Sequence, residues 1–262
     1  MLKANSNAWS DSIILDFVFE RMEEALYLFG GEINNADDKF YPDEKQKKMY
    51  QRTMAKLDDF WGWNSYDIKL HSFSMDLIKN EEIMIKTVEI LYDVDSEAAL
   101  STYYDAIAIL DAHPVLYTSP IFTAYASASL PFGGDSPGIM MGDGYTQYLS
   151  FLGVETTEGF YAAGTTFILS HEYAHHLENI HGAIPEEEPT PEESRFVELL
   201  ADVLAAYFLY HPHGLSMRSS RIEAVVSLTS HIGDCDVSNP NHHGTPIQRE
   251  KAVHFGKFLE RV

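Results

Sequence analysis

Two stretches of helical texture, Thr156 to Ile180 and Pro191 to Tyr210, flank the acidic, proline-punctuated loop Pro185-Glu186-Glu187-Glu188-Pro189-Thr190-Pro191. Thr190-Pro191-Glu192-Glu193 is a capping box with proline at the first helical position, so the second helix has a defined start. Its apolar positions Phe196, Leu199, Leu200, Val203, Leu204, Tyr207 and Phe208 predict a wide apolar face. Glu198 and Asp202 stand four residues apart on that helix, and such a carboxylate pair is costly to bury without compensation. The loop is long enough to bring the second helix alongside the first, which is where the compensation must come from.

The first helix supplies candidates. Of twelve histidines only His71 and His113 precede residue 171, where His171-Glu172-Tyr173-Ala174-His175 begins. Residues four apart on a helix lie about 40° apart in azimuth and one turn apart in height, so both imidazoles can reach one metal ion. Glu172 sits about 60° round from His175 and flanks that ion. The position suits a general base acting on an activated water. The five-residue pattern alone is short, and a third ligand decides what it means.

Two residues compete for that role. His181 has the third-ligand spacing of the pattern HExxHxxGxxH, but the turn that folds the last histidine back needs glycine, and Glu178 stands there. Left on the helix, His181 is about 80° off the His171 line and three turns away. Glu198, 23 residues after His175, is the preferred third ligand. Asp202 is then placed to accept a hydrogen bond from the non-ligating nitrogen of a ligand histidine.

This combination resembles the gluzincins, the thermolysin-like zinc peptidases that join HExxH to a downstream Glu, commonly with Asp four residues further on. His171, Glu172, His175, Glu198 and Asp202 match those positions one for one. The resemblance covers roughly residues 120 to 255 and extends loosely to Ala124-Tyr125-Ala126 and Ile139-Met140-Met141, which look like the edge strand of minigluzincin-like peptidases. It implies a Zn2+ ion on His171, His175 and Glu198, Glu172 as general base, and a peptide or protein substrate. His242-His243-Gly244-Thr245-Pro246-Ile247-Gln248-Arg249 is similar to stretches near the site in several such families. There His243 would donate a hydrogen bond to the oxyanion, with His242 and His231 as lesser candidates, and Arg249 would assist it or anchor the loop through Asp202.

The remainder is scaffold by its texture. Apolar spacings of three and four predict helices over Ser10–Phe29, Asp43–Phe60, Met75–Tyr92 and Ser96–Ala112, and further on over Ser219–Ile232 and Pro246–Arg261. Between Val115 and Tyr148 short apolar pieces around Pro131–Gly138 predict two strands joined by a glycine-rich turn. The expected fold is α+β and mainly helical: a helical N-terminal portion over 1–114, and over 115–262 a zincin-like metallopeptidase core with a small antiparallel sheet, within one compact unit.

Charge and cysteine content narrow the chemistry further. The formal charge, 18 − 40 = −22, opposes phosphate backbones and anionic membranes, so nucleic acid is not expected as a partner. Cys235 stands alone, which rules out an intramolecular disulfide and a cysteine zinc cluster. No run approaches the ~18 apolar residues of a membrane span, so the chain as written is expected to be soluble, and a signal segment removed upstream would leave export open. Two other readings stand beside the peptidase: a non-catalytic, zinc-stabilised binding protein on the same scaffold, and a metal-free helical interaction protein.

Overall fold

The computed structural model describes residues 44–62, 68–73, 78–113, 124–127, 138–142, 158–184, 189–239 and 242–259, with isolated positions between 13 and 28. Its elements are α1 (Glu44–Trp61), β1 (Lys69–Phe73), α2 (Glu81–Tyr92), α3 (Ser96–Ala112), β2 (Ala124–Ser127) and β3 (Gly138–Gly142). They continue with α4 (Glu158–Ile180), α5 (Pro191–Tyr210), a 3-10 turn Ser219–Arg221, α6 (Ile222–Ile232) and α7 (Pro246–Leu259). The described residues are mainly helical, with three short strands. Two units alternate along the chain: Met1–Asp43, Leu70–Thr123 and Ser129–Val154 form one, and Glu44–Lys69, Ala124–Ala128 and Glu155–Val262 the other. Helix α1, which lies within the N-terminal portion of the sequence, belongs with the C-terminal helices.

In the first unit α2 packs on α3, and the buried positions Met84, Thr87 and Val88 on one and Ala99, Tyr103, Ala106 and Leu110 on the other fall at helical spacing. Of the helix predicted over Met75–Tyr92, residues 75–77 lie outside the described residues, Ile78 is helical, and α2 carries the rest from its cap at Asn80, whose side-chain oxygen accepts from the Ile83 amide at 3.2 Å. The predicted helix Ser10–Phe29 lies mostly outside the described residues. Within it Ile14, Phe17, Val18 and Ala25 are buried, and Phe17 meets Tyr92 edge-on. Strand β1, hydrogen-bonded to β3, has no counterpart among the predicted elements. The predicted strands are present as β2 and β3, and the turn between them lies outside the described residues.

The second unit is built around α4, which packs against α1, β2, α5 and α6. Every residue from Ala163 to Ala174 is buried, so this stretch of the helix has no solvent face. Tyr173 donates from its hydroxyl to Asp58 Oδ1 at 3.1 Å, tying α4 to α1. The capping box forms at the start of α5: Thr190 Oγ1 accepts from the Glu193 amide, and the Glu193 carboxylate accepts from the Thr190 amide at 2.9 Å.

The apolar face predicted for α5 is only partly the buried one. Phe196 is 59% exposed, and the buried residues are Ala201, Asp202, Ala205, Ala206, Phe208, Leu209 and Tyr210. The α5 and α7 backbones approach closely. A Cβ on Gly256 of α7 would stand 2.3 Å from the Val203 carbonyl oxygen and 2.8 Å from Ala206 Cβ. At this point of closest approach the α5 side chain facing α7 is Ala206. Gly256→Ala gains about 1 kcal/mol of helix propensity, yet backbone cannot yield to a 2.3 Å contact. The expected net result is a loss of about 1–3 kcal/mol, read as a lower urea midpoint. An unchanged midpoint would contradict the close α5–α7 approach.

Candidate metal centre

Four residues apart on α4, His171 and His175 project to one side with their Nε2 atoms 3.2 Å apart. From α5, Glu198 brings Oε2 to 3.2 Å from His171 Nε2 and Oε1 to 3.6 Å from His175 Nε2. Donors bound about 2.0–2.1 Å from a tetrahedral ion stand roughly 3.3 Å apart, so this spacing fits one shared cation. Among the described residues these three form the one group able to hold a metal ion. His171 is buried, while the His175 and Glu198 side chains keep 16% and 19% exposure, leaving an approach for water or a ligand.

Each histidine is held from behind by a carboxylate. His171 Nδ1 donates to Asp202 Oδ1 at 3.0 Å, and His175 Nδ1 donates to Glu178 Oε2 at 2.8 Å. With Nδ1 occupied, Nε2 is the nitrogen turned to the shared position, and both rings are fixed in orientation. Asp202 is itself clamped by Arg249 of α7, whose Nε and Nη2 donate to the two carboxylate oxygens at 2.8 Å each. Arg249 thus joins Asp202, as the sequence allowed, through a buried bidentate pair.

The charges of the cluster shift one another. Burial lowers the His171 imidazole, but hydrogen bonds to Asp202 and Glu198 outweigh it and raise it to about 10. Burial pushes Glu198 and Asp202 up, but His171 holds Glu198 below the ordinary carboxylate range and Arg249 does the same for Asp202. In metal-free protein, His171 stabilises the fold fully below its unfolded value of about 6.5, and that contribution is lost as pH rises to about 10. The two carboxylates contribute above about pH 4, and their share is lost as pH falls. A metal needs neutral His171, so affinity is expected to rise up to about tenfold per pH unit between pH 6.5 and 9, with proton release on binding. Chelator competition at several pH values checks this; a flat profile would contradict the protonated imidazole.

Glu172 is 7% exposed, and its side chain makes no hydrogen bond among the described residues. Burial raises its carboxyl, against the lowering effect of His171 and His175.

Other predicted positions fall elsewhere. His181 is exposed just past the end of α4, its amide bonded to the Leu177 carbonyl, and it takes no part in the cluster. His231 is exposed on α6 and bonds the Ser227 carbonyl. The His243 side chain is 54% exposed, with Nδ1 3.5 Å from Asp234 Oδ2. Its neighbour His242 is fully buried, bonded through Nδ1 to Asp234 Oδ1, and its Nε2 has no hydrogen-bond partner. The loop carrying both rests on α5 beside Glu198: Gly244, at φ +96°, lies so close that a Cβ would meet Leu199 Cδ2 at 3.1 Å.

Two residues of this site were not singled out from sequence. Glu178 entered only as the residue that replaces a turn glycine, yet its i,i+3 spacing from His175 on a helix was the signal for a carboxylate–histidine pair. Asp234 carried no local signal, since it meets His242 across a loop. Comparisons with protein-family models, with curated proteins and with solved structures found no match to this chain.

Proposed function

We propose that the protein is a zinc-dependent peptidase with a gluzincin-like site on a zincin-like core. The observation that carries this reading is the convergence of His171, His175 and Glu198 on one position beside buried, unengaged Glu172. Two imidazoles and one carboxylate are a donor set that suits zinc and leaves a fourth position open. Zinc held there would supply Lewis acidity, lowering the pKa of a bound water to about 7 and polarising a carbonyl.

The chain's own residues do the rest. Asp202 and Glu178 hold the ligand imidazoles at the Nδ1 atoms. Glu172 accepts a proton from the attacking water at its carboxylate and returns it to the leaving amine nitrogen. His243, exposed on the loop that rests against α5, is the residue proposed to donate to the oxyanion, while His242 is buried against Asp234 and serves the loop. β2, packed on α4, would hold an extended peptide by main-chain hydrogen bonds as part of a small antiparallel sheet.

The test is metal analysis of the purified chain together with hydrolysis of a peptide library before and after 1,10-phenanthroline. The expected result is one zinc per chain and turnover that the chelator abolishes and zinc restores. Turnover indifferent to the chelator, or no zinc uptake, would overturn the reading. Zinc without turnover would favour a metal-stabilised binding protein. Preferential iron uptake would redirect it toward the oxygen chemistry of two-histidine, one-carboxylate sites.

A further inference from the structure

Away from the proposed metal ligands, the second unit has an open surface pocket of about 560 Å³ lined, among the described residues, by Asp59, Phe60, Trp61, Tyr207, His211 and His213. It lies where two helices end. Phe60 and Trp61 close α1, and Tyr207 is in the last turn of α5 with His211 at its C-cap. Helix C-termini carry partial negative charge, which a basic residue in the last turn usually offsets. Neither α1 nor α5 has one.

The side chains add to that field. Phe60 stacks edge-on with Trp61 at 4.8 Å and lies 5.7 Å from Tyr207, and Trp61 lies 6.2 Å from Tyr207. Clustered aromatic faces present negative quadrupole to a cation. Asp59 contributes a carboxylate, none of the described lining residues is lysine or arginine, and the His211 ring packs against Phe60 and Tyr207 at 5.1 and 5.0 Å. Nearby Lys56 is directed to the Gly214 carbonyl, and Lys257 lies over Tyr210. An anion would meet two helix C-termini and a carboxylate. A metal ion would find no converging ligand set among these residues.

We propose that this pocket binds a small organic ammonium ion, with Asp59 as counter-charge and the rings of Phe60, Trp61 and Tyr207 as its apolar walls. A pocket of this size suits a small solute, and aromatic walls suit an alkylated, weakly hydrated cation. The proposal is independent of the metal-centre reading, because none of these residues belongs to that cluster.

Choline is the probe, with 3,3-dimethyl-1-butanol as its uncharged isostere. Both are titrated calorimetrically into the full chain at constant ionic strength. Choline is expected to saturate and to bind at least about tenfold more tightly than the isostere. Asp59→Asn, at an exposed position, should remove most of that preference with an unchanged thermal midpoint. Trp61→Leu should weaken choline by about tenfold. Equal affinity for the two probes, or a choline preference that survives both substitutions, would overturn the proposal.

Discussion

If the chain is the zinc peptidase proposed above, Glu172→Gln is expected to bind zinc as the native chain does and to hydrolyse peptides about 10²- to 10⁴-fold more slowly. Gln keeps the shape of the side chain and removes only its ability to take a proton. Glu172 is on α4 between the two ligand histidines in sequence, yet it makes no hydrogen bond to either. Its replacement should therefore leave the Nε2–Nε2 separation and the hold of Asp202 and Glu178 on the imidazoles intact. Parallel measurement of zinc stoichiometry and kcat separates the possibilities. Native turnover with bound zinc would remove Glu172 as the base, while loss of zinc would show that the carboxylate supports the ligands instead.

A second large effect is expected at Asp202. Its carboxylate is fully buried, accepts from His171 Nδ1, and takes both donors of the nearly buried Arg249 guanidinium. Asp202→Ala leaves that guanidinium unpaired in the interior, at an expected cost of about 3–5 kcal/mol in metal-free protein. Zinc affinity should also fall by about 10- to 100-fold, because His171 loses the acceptor that fixes its ring. Asp202→Leu combined with Arg249→Met should recover much of the stability, since a buried pair replaced whole is far less costly than one broken. It should not recover the zinc affinity. Urea melts and chelator competition on both variants would show it, and equal losses in both properties for the double variant would contradict the division of roles.

Much of the site was legible because it is written in helical spacing. His171 and His175 are four apart, Glu198 and Asp202 are four apart, and the capping box at Thr190 sets where the second pair begins. Such relations are local, and a helix converts them directly into shared faces. Phe196 shows where the same logic fails. Its periodicity placed it on the apolar stripe of α5, but it is exposed, and the close approach of α7 falls at Val203 and Ala206, against Gly256. Strand β1 was missed for a related reason: five residues carry little periodic signal, and pairing with β3 depends on chain some 65 residues away.

The adjacent histidines of the last loop divide in the same way. The sequence alone could name His242 and His243 as neighbours of the site and Arg249 as a partner for Asp202. Only the tertiary structure could place one ring in the interior against Asp234 and the other in solvent. What the sequence determined by itself were the helices, their caps and the residues sharing a helical face, because those follow from 3.6-residue periodicity and short-range hydrogen bonds. What tertiary structure decided were pairings with no local signal, Asp234 to His242 and β1 to β3, and that Glu198 and Arg249, named from the sequence, come within reach of the two histidines and of Asp202. Those depend on how closely backbones approach, and that distance is set by packing across the whole unit.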